Sequence, residues 1–362
     1  MDRIPTEVVA VSDYEPLAKE RMSEFAWAYT SGGAADEITL RWNREAFDRV
    51  RLCGRVLESV AGGNTRVALF GSTFEFPILL GPVAYQKLAH PEGELATVRG
   101  ASAAKAGLVV STVASTSLEE IADASDTPLW FQLYVQPDRS FTRDLIGRAE
   151  VAGYKALVVT VDTPIDGARN RQERAGFYGS PQLVAPNLLG LKPSQLVPAG
   201  TGGNLVFGSG LLESAPTWKD IESFLSTTTL PLIIKGVMAP RDAVRAADMG
   251  CAGVVVSNHG ARNLDTLPAT IDVLPRIANA VAGRIPLLLD GGIRRGSDIL
   301  KALALGAKAV LIGRPYVCAL ATAGAIGVAH VVNILRAELE AAMVLTGCAT
   351  IDQIDRSVVW ED

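Results

Sequence analysis

The chain has few of the residues that bind metals or form disulfides. Its 362 residues include three histidines and four cysteines. The cysteines form no Cys-x-x-Cys pair, and no histidine stands at a zinc-like spacing from them; they are Cys53, Cys251, Cys318 and Cys348. We therefore expect no metal site, and we expect the cysteines to be reduced thiols in a cytoplasmic protein.

The sequence also lacks the features of a nucleic-acid-binding, secreted or membrane protein. The net charge of −5 argues against a nucleic-acid surface and against a polybasic patch for membranes. Residues 1–15 contain acids and no apolar segment of the kind found in secretory signals. We expect no stretch to approach the about 18 uncharged apolar residues of a membrane span. The predicted partners are therefore small molecules, with neither nucleic acid nor membrane.

What the chain has instead is a regular alternation of apolar runs and helical segments from residue 76 onward. Eight runs are continuously apolar, as in parallel strands buried on both faces. They cover residues 76–84, 108–114, 129–135, 156–162, 232–237, 253–260, 285–293 and 309–315. Eight such units predict an α/β fold, a closed (β/α)8 TIM barrel. An open doubly wound sheet is the alternative, but no Gly-x-Gly-x-x-Gly follows the first run.

The remaining segments complete a single predicted domain over residues 1–362, with the barrel at about 76–347. Two helices are predicted before it, at 13–31 and about 35–49, and a last helix is predicted at about 323–345. The fourth connection is unusually long, and about residues 176–216 are rich in Gly, Pro, Ser and Asn. At the carboxyl face of a barrel such a loop could serve as a lid; a disordered insertion is the alternative.

The apolar part of the sixth run, residues 253–256, leads directly into SNHGARNLD, residues 257–265. This stretch places an imidazole, His259, three positions before a guanidinium, Arg262. A base and a carboxylate-binding group at the end of a buried strand suit chemistry on a small anionic substrate. An ordinary loop with a structural histidine is the alternative. Barrel active sites lie at the carboxyl ends of strands, and nearly every run here ends in polar residues.

Two glycine-rich stretches after the last two runs indicate a phosphate site. DGGIRRG and IGRP bring Arg294 and Arg314 to the place where this fold usually binds phosphate. Two tight turns with solvated arginines are the alternative. Backbone N–H groups and two guanidinium groups at this place suit a terminal phosphate.

Lys235 lies inside a buried run and needs a negative partner, or else loses its proton. It could form a Schiff base, pair in a structural salt bridge, or stabilise an anionic cofactor. Ser111, Gln132 and Thr160 end neighbouring runs and can hydrogen-bond a planar heterocycle. A phosphate site beside ring contacts indicates a mononucleotide. FMN would use Lys235 to stabilise negative charge on the reduced ring.

These motifs resemble those of the FMN-dependent 2-hydroxy acid oxidases and dehydrogenases, which include glycolate oxidase, lactate oxidase and mandelate dehydrogenase. The similarity runs over about residues 13–347. It rests on AHPEGE (89–94), QLYV (132–135), TVDTP (160–164), KGV (235–237), SNHGARNLD, LDGGIRRGSDILKALALGA (289–307) and IGRP (312–315). The stretch VAYQKLAHP, residues 83–91, resembles the 4-hydroxymandelate oxidases more than the glycolate oxidases.

The resemblance implies a role for each matching residue. His259 would be the catalytic base, Asp162 its partner, and Tyr134 a hydrogen-bond partner of the substrate hydroxyl. The residues that would bind the substrate carboxylate are Tyr29, Arg169 and Arg262. Those that would hold the flavin ring are Ser111, Gln132, Thr160 and Lys235, with the backbone of Pro82, Val83 and Ala84 near N5. Asp290 would take the ribityl chain, and the phosphate would lie at Gly291, Gly292, Arg294, Gly313 and Arg314.

Departures from the family pattern bear on the substrate. Val113 stands where many glycolate oxidases have Trp, Thr30 where they have a second Tyr, and the lid segment matches no one subfamily. We therefore expect oxidation of a bulky or aromatic (S)-2-hydroxy acid, such as mandelate or 4-hydroxymandelate, to the 2-oxo acid. Because no heme domain precedes the barrel, O2 is the expected acceptor, yielding H2O2. The family implies a homotetramer.

Three other functions stay open from the sequence alone. The first is oxidation of a small or aliphatic 2-hydroxy acid, such as glycolate or lactate. The second is a non-redox FMN-dependent isomerase, which would need a diphosphate site and magnesium. The third is a flavin-binding barrel without enzymatic activity, in which the polar rim would have no use.

Overall fold

The computed structural model describes residues 3–176, 183–191, 206–207 and 212–360. Its strands are β1 (Val67–Leu69), β2 (Ser72–Phe74), β3 (Ile78–Leu80), β4 (Gly107–Ser111), β5 (Leu129–Leu133), β6 (Ala156–Thr160), β7 (Leu232–Val237), β8 (Gly253–Val256), β9 (Leu287–Leu289) and β10 (Ala309–Ile312). Strands β3 to β10 pair in parallel in chain order, and β10 closes on β3. The predicted TIM barrel is confirmed.

The continuous apolar runs form strands that are buried on both faces. In β3, Leu79 packs inside the barrel, whereas Ile78 and Leu80 pack under the surrounding helices. The same alternation holds in β7, where Ile233 points inward and Ile234 outward. An inner and an outer layer of apolar contacts therefore fix each strand, which explains why no polar alternation is visible in these runs.

The antiparallel hairpin β1–β2 closes the amino-terminal end of the barrel. Phe70 and Phe74 pack edge-to-face on Trp130, with ring centroids 5.3 Å and 5.8 Å away. Phe74 also approaches Gly107, the first residue of β4, so closely that a side chain there would clash. Because this end is filled by aromatic rings, the opposite rim is the one left for a ligand.

The helices are α1 (Tyr14–Arg21), α2 (Glu24–Ser31), α3 (Ile38–Arg49), α4 (Glu94–Ala104), α5 (Leu118–Asp123), α6 (Arg139–Val151), α7 (Asn170–Arg174), α8 (Trp218–Thr227), α9 (Pro240–Asp248), α10 (Thr270–Val281), α11 (Gly296–Ala304) and α12 (Arg314–Leu345). The single helix predicted over 13–31 was wrong: the chain breaks between α1 and α2. The Ser23 side chain accepts the N–H of Ala26 and caps α2, which starts a new helix there.

The last helix is longer than predicted, so the predicted start at about residue 323 was wrong. It begins at Arg314, and non-helical angles at Ala323 and Gly324 divide it into two segments, of which only the second was predicted. Residues 315–335 carry no Asp, Glu, Lys or Arg. The expectation that no stretch approaches a membrane span was therefore wrong. By length and composition α12 could cross a membrane, and 61% of its most apolar window is buried. It packs on α1, α4 and α11, so the fold itself covers much of this apolar surface.

Most of the lid predicted at 176–216 lies outside the described residues. Within the described part, Asn187 is fully buried and bridges two other connections. Its side-chain oxygen accepts the N–H of Leu118 at 2.9 Å, and its nitrogen donates to the carbonyl of Thr112 at 3.3 Å. This part of the connection is therefore fixed to the loop after β4.

Candidate active site

A cavity opens at the carboxyl ends of the barrel strands. Its empty volume is about 970 Å³, counting the mouth, within the range of small-molecule pockets. All the predicted site residues except Asp162 and Arg169 line it: Tyr29, Pro82, Val83, Ala84, Ser111, Gln132, Tyr134, Thr160, Lys235, His259, Arg262, Asp290, Gly291, Gly292, Arg294, Gly313 and Arg314. Asp162 and Arg169 lie directly behind this wall, bonded to its members.

His259 is presented to the cavity by an unusual turn after β8. Three successive residues, His259, Gly260 and Ala261, have φ near +60°, a left-handed conformation that is costly for the two non-glycine residues. Side chains from the same motif hold the turn. Ser257 Oγ accepts the N–H of His259, and Asn258 Oδ1 accepts the N–H of Ala261, both at 3.1 Å.

The imidazole of His259 lies between a carboxylate and a phenol. Its Nδ1 is 2.8 Å from Oδ1 of Asp162, and its Nε2 is 3.3 Å from Oη of Tyr134. Burial lowers the pKa of His259, and Lys235 and Arg262 lower it further, against the raising effect of Asp162. The ring is therefore neutral at neutral pH. Nδ1–H donates to Asp162, and Nε2 keeps its lone pair toward the cavity.

Asp162 is ionised in spite of its burial. Burial favours the neutral acid, but the facing His259 and the cation of Lys235 outweigh it and lower the pKa of this carboxyl group. Gly236 makes the position possible, since a Cβ there would come within 2.5 Å of Cβ and Cγ of Asp162. The carboxylate is thus ready to stabilise an imidazolium on His259.

A row of polar side chains crosses the ends of four neighbouring strands. Gln132 on β5 lies beside Ser111 on β4, and Thr160 on β6 lies beside Lys235 on β7. Gln132 Nε2 donates to Thr160 Oγ1 at 2.9 Å, and Ser111 Oγ donates to Gln132 Oε1 at 3.2 Å. The parallel register brings these groups to one edge, where they can contact a flat ring.

Lys235 remains charged because it is buried among anions. Burial would lower the pKa of its amine, but Asp290 and Asp162 raise it above the usual value. Its Nζ is 3.2 Å from Asp290 Oδ2 and 3.1 Å from Ser257 Oγ. Asp290 Oδ1 and Asp162 Oδ2 are buried without a hydrogen-bond partner among the described residues. Buried polar atoms of this kind normally have a partner, so they favour a polar ligand here.

Two buried guanidinium groups face the cavity without a carboxylate partner in the described part of the chain. Arg262 donates to the carbonyls of Tyr29 and Gly32 at 2.6 Å and 3.0 Å and to Oε1 of Gln172 at 2.9 Å. Arg314 donates to the carbonyls of Thr30 and Gly32 at 3.0 Å and 2.7 Å. Burial lowers the pKa of Arg262, and burial with neighbouring Arg262 and Arg294 lowers that of Arg314 to about 9. The cavity therefore favours anions.

The two remaining predicted arginines each form an ion pair with a carboxylate. Arg169 donates to the carbonyl of Arg262 at 3.2 Å and forms an ion pair with Asp166. Arg294 lines the cavity, but its Nε is 3.1 Å from Glu15 on α1. Their predicted contacts, with the substrate carboxylate and the phosphate respectively, stay predictions.

The structure also reveals supporting residues that were not predicted. Asn43 of α3 and Asn258 exchange two side-chain hydrogen bonds, at 2.9 Å and 2.8 Å, which ties the amino-terminal helices to the His259 turn. Asn263 donates to the carbonyl of Asp162 at 2.8 Å. Asn258 and Asn263 lie in SNHGARNLD and could have been assigned from it. Asn43 and Gln172 lie in no recognisable motif, so the sequence around them did not indicate a role in the site.

A neutral base, an uncompensated guanidinium and a row of ring-binding groups at the carboxyl face of a barrel define a cofactor-dependent enzyme. Residues 18–361 match the FMN-dependent dehydrogenase family. The chain belongs to this family, as predicted, and FMN is its cofactor.

Characterised proteins cover nearly the whole chain. An L-lactate oxidase from Nostoc sp. is 46% identical over 350 residues, covering 95% of this chain and 96% of the relative. Glycolate oxidase 1 of Oryza sativa subsp. indica is 42% identical over 356 residues, with 98% and 96% covered. A crystal structure of mandelate oxidase with (S)-2-phenylpropionate superimposes with a TM-score of 0.87 at 39% identity, with 97% and 98% covered.

Proposed function

We propose that this chain oxidises an (S)-2-hydroxy acid, preferably one with a bulky or aromatic side chain, to the 2-oxo acid, with O2 reduced to H2O2. The similar proteins are named as oxidases of lactate, glycolate and mandelate. The observation that carries the proposal is the neutral His259, held by Asp162, beside the uncompensated Arg262. A base next to a carboxylate-binding cation is what a 2-hydroxy acid requires.

The residues of the cavity fit FMN. Ser111, Gln132, Thr160 and Lys235 would hold the ring, and the unpartnered Oδ1 of Asp290 is a free acceptor for a ribityl hydroxyl. The buried cation of Arg314, which lacks a carboxylate partner among the described residues, would hold the phosphate. When bound, FMN supplies the acceptor for the two electrons that leave the substrate.

The chain's own residues bind and orient the substrate and accept its proton. Arg262 would bind the substrate carboxylate, and Tyr29, whose ring lies 4.8 Å under that guanidinium, would share it. Tyr134 would orient the hydroxyl group. His259 Nε2 would accept the substrate proton, and Asp162 would stabilise the resulting imidazolium. General-base catalysis of this kind contributes about 10²–10⁴-fold.

Three neighbouring residues support a bulky substrate. The N–H of Tyr85 donates to the carbonyl of Val113 at 3.2 Å, so these two residues lie together. Tyr85 also packs edge-to-face on Tyr29, with ring centroids 6.1 Å apart. Val113 and Tyr85 therefore adjoin Tyr29, which lines the cavity and would share the substrate carboxylate. The small Val113 would leave space near Tyr29, and the aromatic rings would offer contacts to an aromatic substituent.

A substrate panel tests the proposal. The enzyme with FMN is mixed anaerobically with glycolate, (S)-lactate, (S)-mandelate and (S)-4-hydroxymandelate, and bleaching of the flavin absorbance is followed. H2O2 release is then measured in air. We expect bleaching by all four acids, fastest with the aromatic pair, and stoichiometric H2O2.

Three outcomes would contradict parts of the proposal. A preference for glycolate would refute the argument from Val113. Bleaching without H2O2 would refute O2 as the acceptor. No bleaching by any 2-hydroxy acid would refute the function. A homotetramer and a cytoplasmic location stay predictions from the sequence.

A further inference from the structure

A carboxylate that the proposed reaction does not use is paired with Arg169, directly behind the cavity wall. Asp166 belongs to the loop after β6, and its Oδ1 is 2.9 Å from Nη2 of Arg169. The side chain of Asp166 is 60% exposed, whereas that of Arg169 is only 10% exposed. The ion pair therefore joins a solvent-exposed carboxylate to a buried guanidinium behind the cavity wall.

Asp166 is linked through Arg169 to the end of the cavity where the substrate carboxylate would lie. Its partner Arg169 is fixed to the Arg262 loop through the carbonyl of Arg262. Burial raises the pKa of Tyr29 and of Tyr85, and the negative charge of Asp166 adds to both shifts. The carboxylate thus lies close enough to both aromatic rings for its charge to be felt at the substrate end.

The charged groups around this end are of both signs before any substrate binds. Arg169 and Arg262 are positive, Asp162 and Asp166 are negative, and His259 is neutral. A substrate monocarboxylate adds one negative charge and finds Arg262 without a carboxylate partner in the described residues. A second carboxylate, on the substrate's side chain, would find Arg169 already paired and would lie near the negative Asp166.

We propose that Asp166 selects 2-hydroxy acids with an uncharged side chain and excludes those with a second carboxylate. The inference rests on the proposed function, since it concerns the substrate of the same site. It assigns the selectivity to one exposed charge and not to the shape of the cavity. Replacing Asp166 with a neutral residue would remove this negative charge and would leave the charge of Arg169 without its carboxylate partner, so a second carboxylate would be repelled less.

The test compares two substrates that differ in the terminal carboxylate, (S)-2-hydroxypentanoate and (S)-2-hydroxyglutarate. Anaerobic flavin reduction gives kcat/KM for each with the FMN-bound wild type, Asp166→Asn and Asp166→Glu. The matched control is Asp123→Asn, because Asp123 is an exposed carboxylate at the end of α5 and is not among the residues that line the cavity. The assays are run at low and at high ionic strength.

We expect the wild type to favour the monocarboxylate. In Asp166→Asn the relative kcat/KM for 2-hydroxyglutarate should rise about tenfold, as expected for one unit charge acting through a partly solvated medium. The gain should shrink at high salt, because the charge is exposed. Asp166→Glu and Asp123→Asn should keep the wild-type preference.

An unchanged preference in Asp166→Asn would overturn the proposal. So would an equal change in Asp123→Asn, or an Asp166→Glu enzyme that behaves like Asp166→Asn. Binding of 2-oxopentanoate and 2-oxoglutarate, read from the flavin spectrum, separates this result from the proposed function. If no 2-hydroxy acid reduces the flavin, the proposed function fails. The ratio of the two dissociation constants still tests the charge selection.

Discussion

Substitution of Gly236 by alanine is expected to displace Asp162 without touching the substrate. Gly236 has φ +107°, and a Cβ there would come within 2.5 Å of Cβ and Cγ of Asp162. Carbon atoms pack at about 3.5–4.0 Å, so the carboxylate would have to move by about 1 Å. Because Asp162 orients His259 through a 2.8 Å hydrogen bond, the imidazole would lose its fixed direction.

The expected loss follows from this displacement. A misplacement of about 1 Å in a catalytic arrangement can cost about 10²-fold in rate. We therefore expect the rate of anaerobic flavin reduction in Gly236→Ala to fall about a hundredfold at saturating (S)-mandelate. The positive φ adds about 1–3 kcal/mol of strain, which should lower the melting temperature by several degrees. FMN content, read from the absorbance spectrum, should be retained.

The control is Gly147→Ala on α6, where an added Cβ meets nothing within 4 Å. It should keep the wild-type rate and should be slightly more stable, because alanine favours a helix by about 1 kcal/mol. If Gly236→Ala binds FMN and reduces it at the wild-type rate, the position of Asp162 does not matter, and its assignment as the partner of His259 is wrong.

Three further predictions concern the base and the cation. His259→Gln should keep FMN, and its rate of flavin reduction should fall about 10²–10⁴-fold. The control His90→Gln, outside the cavity, should keep both FMN and the wild-type rate. Equal rates in the two variants would refute the assignment of His259 as the base. The active imidazole is neutral and its pKa is lowered by burial. The acid limb of kcat/KM should therefore lie below the ordinary histidine value of about 6.5 in the wild type, with activity lost as pH falls through it. Arg262→Lys should raise KM about 10–100-fold with FMN content unchanged, because lysine cannot bind a carboxylate through two parallel N–H groups; an unchanged KM would place the substrate carboxylate elsewhere.

The barrel was predictable because its signal is local and repeated. Each strand is a short apolar run buried on both faces, and each run is followed by a helix. The His259 and Arg262 pair could also be read directly, since both residues stand in one nine-residue motif. Helix boundaries were less predictable. The apolar face over 13–31 continues through a break, and only the Ser23 cap reveals where α2 begins.

The supporting contacts of the site could not be predicted, because their partners are far apart in the chain. Asn43 and Asn258 have separate local contexts, and only folding brings their amides together. Gln172 shows no motif, yet its oxygen accepts a hydrogen bond from Arg262. The same holds for Asp166, whose effect depends on the guanidinium and the aromatic rings that surround it.

The sequence by itself determined the barrel, the family and the chemical groups in SNHGARNLD, because strand periodicity and short motifs are written in consecutive residues. Tertiary structure alone decided the state of those groups. Burial and the nearby cations of Lys235 and Arg262 lower the pKa of His259 more than Asp162 raises it, and His259 is therefore a neutral base. The absence of a carboxylate beside Arg262, among the described residues, keeps its charge available for a substrate. Both properties depend on distances between segments that are remote in sequence, and electrostatic energies are set by those distances and by burial.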